Sequence, residues 1–215
     1  MAGLVREIDV RKWHRRQHFE FFRDFAYPYW GITTDVDIAP LRCVLKEREV
    51  SFTVGLVYVL LQSANAVPEF RQRIRGDAVV EHERVDASVT VLAPGDTFRF
   101  ATVRYMDNFG EFAGEAAEQI EAARSDAPFE RNTDRDDLVY LSAIPWFSFS
   151  AFLHPLPLRQ EDSVPRFAWG RFQEKDGALA LPLNIQAHHG LIDAIHVAGF
   201  LSALERLIRE FSTMP

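Results

Sequence analysis

The sequence predicts an α+β fold: a two-layer sandwich in which a large mixed β-sheet is packed by helices. Three observations predict it. Segments of period-2 alternation and segments of helical spacing follow one another without a regular βαβ rhythm. One helix-length stretch, Phe52–Val67, is apolar almost all round and so belongs in an interior. The 215 residues, 47% of them hydrophobic, supply ample side chains for a core, and no internal repeat or linker divides them. Residues 1–215 are therefore expected to form a single domain.

Along the chain, Asp9–Phe25 is expected to be the first helix, capped by Asp9, with Trp13, Phe19 and Phe22 near one another. Tyr27, Pro28, Tyr29 and Trp30 end it and lead into an extended segment, Gly31–Ile38. A second helix is predicted from Pro40, and the buried third, Phe52–Val67, stops before Pro68. Ala78–Tyr105 is strand-like, with valines and phenylalanines separated by turn residues. Phe112–Arg124 is an amphipathic helix and the charged stretch Glu130–Asp137 a solvated loop. Val139–Phe152 is expected as a strand with an edge or bulge at Pro145–Trp146, since proline cannot donate to a ladder. Phe167–Phe172 and Leu179–His188 flank Lys175–Asp176–Gly177, a hairpin signal because Asp-Gly tolerates positive φ. A last helix follows Asp193, with Val197, Phe200, Leu201, Leu204, Leu207, Ile208 and Phe211 at helical spacing.

Composition narrows the function. A net charge of −7 argues against a general binder of nucleic acids or anionic membranes. The lone Cys43 excludes an intrachain disulfide framework and a cysteine-cluster zinc site. Met1–Val10 lacks the apolar core of a signal peptide, and the longest apolar run, Val54–Leu61, is too short to span a bilayer. A soluble, cytoplasmic protein is expected. The 18 phenylalanines suit a Phe-rich core and also aromatic-walled pockets or subunit contacts.

The chemistry concentrates in Leu183–Ala194. Alternation along Leu179, Leu181, Leu183, Ile185 and Ala187 places those residues on one strand face, with Asn184, Gln186 and His188 on the other. Gly190 then frees the backbone as the strand turns, and Asp193 stands where a helix cap is wanted. Three readings of the histidines compete. They are structural groups hydrogen-bonded at a strand end; or His188, His189, Asp193 and His196 bind a metal; or His189 is a general base, histidine being the side chain suited to accept a proton at neutral pH. Neighbouring strand residues point to opposite faces, which keeps His188 and His189 from sharing one ion. Composition leaves the structural and general-base readings both open.

Nearly the whole chain resembles the type A chloramphenicol O-acetyltransferases. The family's His-His-x-x-x-Asp-Gly motif is matched by His188–His189–Gly190–Leu191–Ile192–Asp193–Ala194, followed by His196–Val197. Asp9–Glu20 is similar to the family's N-terminal helix, Asn65–Arg71 to its Asn-x-x-Pro-Glu-Phe-Arg stretch, and Thr97–Phe98 and Ser142–Trp146 have counterparts. The His-His-x-x-x-Asp pattern alone is shared with condensation domains and related acyl-CoA transferases; the set of matches in one order is specific for the fold.

The resemblance implies a homotrimer with active sites between subunits, acetyl-CoA entering from one side and the acceptor from the other, with no metal. It implies that His189 removes the acceptor's hydroxyl proton and that Ser142 donates a hydrogen bond to the tetrahedral oxyanion. Asp193 and Arg15 match an ion pair that holds the active-site loop. Arg171, Phe172 and Trp146 match positions beside CoA, a guanidinium suiting phosphate and an aromatic ring suiting adenine. Phe21, Phe22, Phe98 and Phe129 are candidate walls of the acceptor pocket. The chain departs from the pattern at Ala194 for the motif glycine, Ala168 for an oxyanion-solvating threonine, Ser51 for a basic residue, and Thr53–Val54 for a tyrosine-proline pair. The expected function is O-acetyl transfer from acetyl-CoA, with chloramphenicol the favoured acceptor. The alternatives are another hydroxyl or amine acceptor, or a weakly catalytic trimeric binding protein.

Overall fold

The computed structural model describes residues 4–125, 135–157 and 162–213. A short strand that the sequence pattern did not reveal, β1 (Val5–Ile8), opens it. The first helix is shorter than expected: α1 spans only Arg16–Arg23. Asp9 is not its cap. Its carboxylate accepts the Arg11 N–H at 3.1 Å and its carbonyl the Lys12 N–H at 3.0 Å, which makes a turn ahead of the helix.

Strand β2 (Tyr29–Asp37) leads into α2 (Ala39–Glu47), with Pro40 in its first turn. Helix α3 (Phe52–Ala66) is buried without interruption from Val54 to Leu61, as its apolar circumference requires. Pro68 opens a short 3₁₀ turn, and β3 (Gln72–Arg75), β4 (Ala78–His82), β5 (Asp86–Ala93) and β6 (Thr97–Val103) follow. Helix α4 (Phe109–Arg124) starts earlier than predicted because Asn108 caps it, accepting the Glu111 N–H at 3.0 Å.

The strand predicted over Val139–Phe152 is cut short. Strand β7 (Leu138–Ile144) stops before Pro145, and Pro145–Trp146 form a turn at its end. Residues 147–157 then leave the sheet as a strap. Strands β8 (Arg166–Gly170), β9 (Gln173–Lys175) and β10 (Ala178–His188) come next. The β9–β10 turn has the positive φ that its sequence signals, 51° at Asp176 and 82° at Gly177. Helix α5 (Ala194–Glu210) completes the order.

The main sheet has seven strands in the order β2-β10-β8-β7-β5-β6, with β9 continuing beside β10. It is mixed: β7 runs parallel to both β5 and β8, and the other pairs are antiparallel. Register sorts its faces. Val89, Leu141, Phe167 and Ile185 form one row across four strands, none more than 1% exposed. This face packs against helices; Phe167 stacks on Phe200 of α5 with centroids 5.1 Å apart. A row on the opposite face runs Thr90, Ser142, Ala168, Asn184, Thr33.

Alternation in β10 separates the two sets as predicted, yet Asn184, Gln186 and His188 are buried too. The strap meets this face at Gln186, whose Oε1 accepts the His154 N–H at 3.0 Å.

Strands β1, β4 and β3 form a smaller sheet. Arg73 on β3, fully buried, joins it to the start of β7 by donating to the carbonyls of Phe70, Gln72, Asp136 and Leu138 at 2.5–2.9 Å. Burial pulls this guanidinium down to about 10, leaving it charged at neutral pH. The described end of the charged loop is paired and not simply solvated: Arg135 binds Asp86 and Asp137 at 2.7–2.8 Å. Among the described residues no helix is long and apolar enough to cross a membrane.

Candidate active site

His189 leaves the end of β10 in a loop held by its backbone. Its N–H donates to the Pro28 carbonyl at 2.8 Å, and the N–H groups of Leu191 and Ile192 return to the His188 carbonyl at 3.1 and 3.0 Å. Gly190 is needed here for close approach. Its N–H donates to His188 Nδ1 at 3.1 Å, and a Cβ would lie 3.0 Å from that imidazole. The two histidines diverge as the strand pattern requires. His188 packs edge-on against Tyr29, with burial taking it down to about 4, while His189 lies beside the neighbouring Trp30. Among the described residues no group of three or more histidine, cysteine, aspartate or glutamate side chains is arranged to hold a metal.

Two aromatics contact the His189 ring. Phe22 stacks on it at 4.2 Å and 23°, and Trp30 leans against it at 5.3 Å and 36°. Its Nδ1 is buried, and among the described residues no hydrogen-bond partner, carboxylate or other, orients the ring there. Asp193 caps α5: its carboxylate accepts the Ala194 N–H at 2.6 Å, the main cause that lowers the pKa of this acid. His196 Nδ1 accepts the Asp193 N–H at 2.9 Å, completing a reciprocal cap.

The ion pair expected between Arg15 and Asp193 is not made within 4.0 Å in the single chain. Arg15 instead sends Nη2 toward the His189 carbonyl at 3.4 Å, and its Nε is buried without a partner. Burial lowers its pKa, while the charges of Asp193 and Glu69 act in the opposite direction. It steadies the loop through the backbone of His189. Ala194, the departure from the motif glycine, begins α5 without a positive φ, so its methyl group imposes no backbone strain.

Ser142 stands elsewhere. Its Oγ lies 3.2 Å from Thr90 Oγ1 in the polar row of the sheet, with the buried methyl of Ala168 beside it on β8. Next to this row, on the β6 edge, Phe98 and Phe100 pack edge-on at 5.5 Å and remain exposed. His189 is five residues beyond Asn184, which shares the Ser142 row. That is roughly 16 Å along β10, and two strand spacings add about 10 Å across the sheet. One chain therefore does not bring His189 and Ser142 to one reacting centre. It divides the expected pocket too, with Phe21 and Phe22 on the His189 side and Phe98 on the Ser142 side. Phe129 lies outside the described residues.

A third feature is a groove of about 620 Å³ lined by Arg42, Arg171, Phe172, Gln173, Glu174 and Leu179. The Arg42 guanidinium lies 5.2 Å over the Phe172 ring, which Phe52 also touches edge-on. The Arg171 N–H is tied to the Phe147 carbonyl at 2.9 Å, so the groove adjoins the turn that exposes Trp146. Ser51 stands just before α3 with no cation of its own. Sequence reasoning missed Arg42 and Trp30. No spacing signal marks Arg42 among the residues of α2, and only the pairing of Trp30 with Ala187 on β10 reveals its place beside His189.

Residues 5–205 match the profile of the chloramphenicol acetyltransferase family. The chain belongs to that family. It is 29% identical over 202 residues to chloramphenicol acetyltransferase 2 of Haemophilus influenzae, covering 93% of this chain and 95% of that one. A chloramphenicol acetyltransferase of Streptomyces acrimycini is 30% identical over 207 residues, with 94% of each covered. A solved structure of a chloramphenicol acetyltransferase superimposes with a TM-score of 0.89 at 28% identity, covering 95% of this chain and 100% of the other.

Proposed function

We propose that the chain transfers the acetyl group of acetyl-CoA to a hydroxyl of chloramphenicol, acting as a single catalytic domain in a cytoplasmic homotrimer that confers resistance to the antibiotic. The separation of His189 from Ser142 supports the assembly. Each residue carries half of an aromatic pocket, and a neighbouring subunit must supply the other half.

In this reading Nε2 of His189 takes the proton of the acceptor hydroxyl. The oxygen attacks the thioester carbonyl, and the new C–O bond forms as the carbonyl π pair moves onto oxygen. Ser142 donates its Oγ–H to that oxyanion, a role that requires Thr90 to be the donor of the 3.2 Å hydroxyl pair between them. Collapse breaks the C–S bond, and the departing thiolate takes the proton held on His189. No acyl-enzyme is required. The acceptor lies between Phe21 and Phe22 of one chain and Phe98 and Phe100 of the next. Acetyl-CoA lays its nucleotide end in the groove, with Arg171 and Arg42 facing phosphate, Phe172 facing adenine and Trp146 along the entry. The donor set fits that anion: two guanidiniums flank an aromatic face.

Thiol release from acetyl-CoA in the presence of chloramphenicol tests the reaction. His189→Ala is expected to lower turnover by about 10²–10⁴-fold. Ser142→Ala should lower kcat by about 10²–10³-fold. Chloramphenicol-independent thiol release, or full activity of His189→Ala, would overturn the reading.

A further inference from the structure

We propose that Trp30 is the positioning residue of the base, fixing both the plane of the His189 ring and the far end of its loop. This rests on His189 acting as the general base. Histidine bases are commonly oriented by a hydrogen bond at the second ring nitrogen. Among the described residues nothing makes such a bond to His189, whose Nδ1 is buried. What limits the ring is aromatic contact, with Phe22 stacked on it and Trp30 tilted against it.

Trp30 does something Phe22 does not. Its indole Nε1–H donates to the Ile192 carbonyl at 2.9 Å. Ile192 immediately precedes Asp193, the cap of α5. One rigid side chain therefore touches the ring at the start of the loop and the carbonyl at its end. Trp30 is itself placed by the sheet, opposite Ala187 on β10, and two residues before it the Pro28 carbonyl holds the His189 N–H. Arg15 grips the loop from a third direction at the His189 carbonyl. Of these contacts, only the aromatic ones act on the angle of the imidazole. Trp30 alone couples that angle to the loop backbone, and misplacing a reacting group by about 1 Å can cost on the order of 10²-fold in rate.

Two variants separate its two contributions. Trp30→Phe keeps an aromatic face and removes the indole N–H; Trp30→Leu removes both. For Trp30→Phe, kcat should fall roughly two- to tenfold, the worth of one neutral hydrogen bond, with KM for acetyl-CoA unchanged. For Trp30→Leu, kcat should fall on the order of 10²-fold, again with KM for acetyl-CoA unchanged. A readout independent of turnover accompanies these assays. NMR of ¹³C-imidazole-labelled protein should show a single sharp, ring-current-shifted His189 signal in the wild type and a broadened or averaged one in Trp30→Leu, with Trp30→Phe close to the wild type. Amide exchange at Leu191 and Ile192 should quicken in both variants. If the wild type lacks acetyl transfer, the NMR and exchange results still decide the role of Trp30. A folded Trp30→Leu with kcat within twofold of wild type, or with an unchanged His189 signal, would overturn the proposal. If Trp30→Leu does not fold, an unchanged kcat and unchanged exchange in Trp30→Phe would do the same.

Discussion

If His189 of one chain works with Ser142 of another, two inactive variants should rescue each other. His189→Ala and Ser142→Ala are each expressed, mixed in equal amounts, unfolded and refolded together. Within one chain the two groups stand apart both along and across the main sheet. A productive site needs its histidine from a chain carrying Ser142→Ala and its serine from one carrying His189→Ala. Random assembly gives about a quarter of sites both native groups. The Ser142→Ala parent should retain only about 0.1–1% of wild-type kcat. Mixing should therefore raise specific activity by at least an order of magnitude above the better parent, toward about 25% of wild type. The assay is thiol release, with each variant refolded alone as the reference and the oligomer checked by sedimentation. Activity that stays at the average of the two parents would refute shared sites. Activity near half of wild type, with a fully active Ser142→Ala parent, would refute the oxyanion role of Ser142.

Two further outcomes follow from the groove and from the buried histidines. Arg42→Gln should raise Kd for CoA roughly fivefold by calorimetry, the worth of an exposed charge contact, while leaving the melting temperature unchanged; equal affinity of the two proteins would remove Arg42 from the groove's function. Burial takes both His154 and His188 down to about 4, below the ordinary 6.5 of an unfolded chain. The unfolded chain then binds protons that the folded one does not, so stability is full above about pH 6.5 and falls as pH drops toward 4. At pH 5 each histidine should cost about 2 kcal/mol, readable as a lower urea midpoint; a midpoint unchanged between pH 7.5 and 5 would contradict their neutral burial.

Much of this architecture is legible in local sequence. The circumference of α3, the Asp176–Gly177 turn, the alternation of β10 and the Asp193 cap each follow from residue spacing and backbone preference. Element lengths depart from the periodic pattern where a short polar interaction competes with it. Asp9 makes a turn where a helix was expected, and Asn108 extends α4 by three residues. The site was less legible because strand register assembles it. Nothing near Ser142 in sequence shows that it meets Thr90, lies beside Ala168, or stands far from His189. The setting of Gln186 is equally nonlocal, since a strap returns over β10 to meet it. Arg42 and Trp30 lie in segments whose local patterns announce only a helix and a strand start, and their roles come from what the fold places opposite them.

The position of β10 also shapes how the chain must be made. The strand order β2-β10-β8 sets the last strand to be synthesised between one of the first and one from the middle of the chain. While translation is still short of residue 188, β2 and β8 have no shared neighbour and present unpaired backbone edges. The nascent chain must carry those edges without joining another copy, a burden of the kind that chaperones relieve. The same arrival that closes the sheet also delivers His189, so a ribosome-bound chain with an open sheet does not yet hold its base in place.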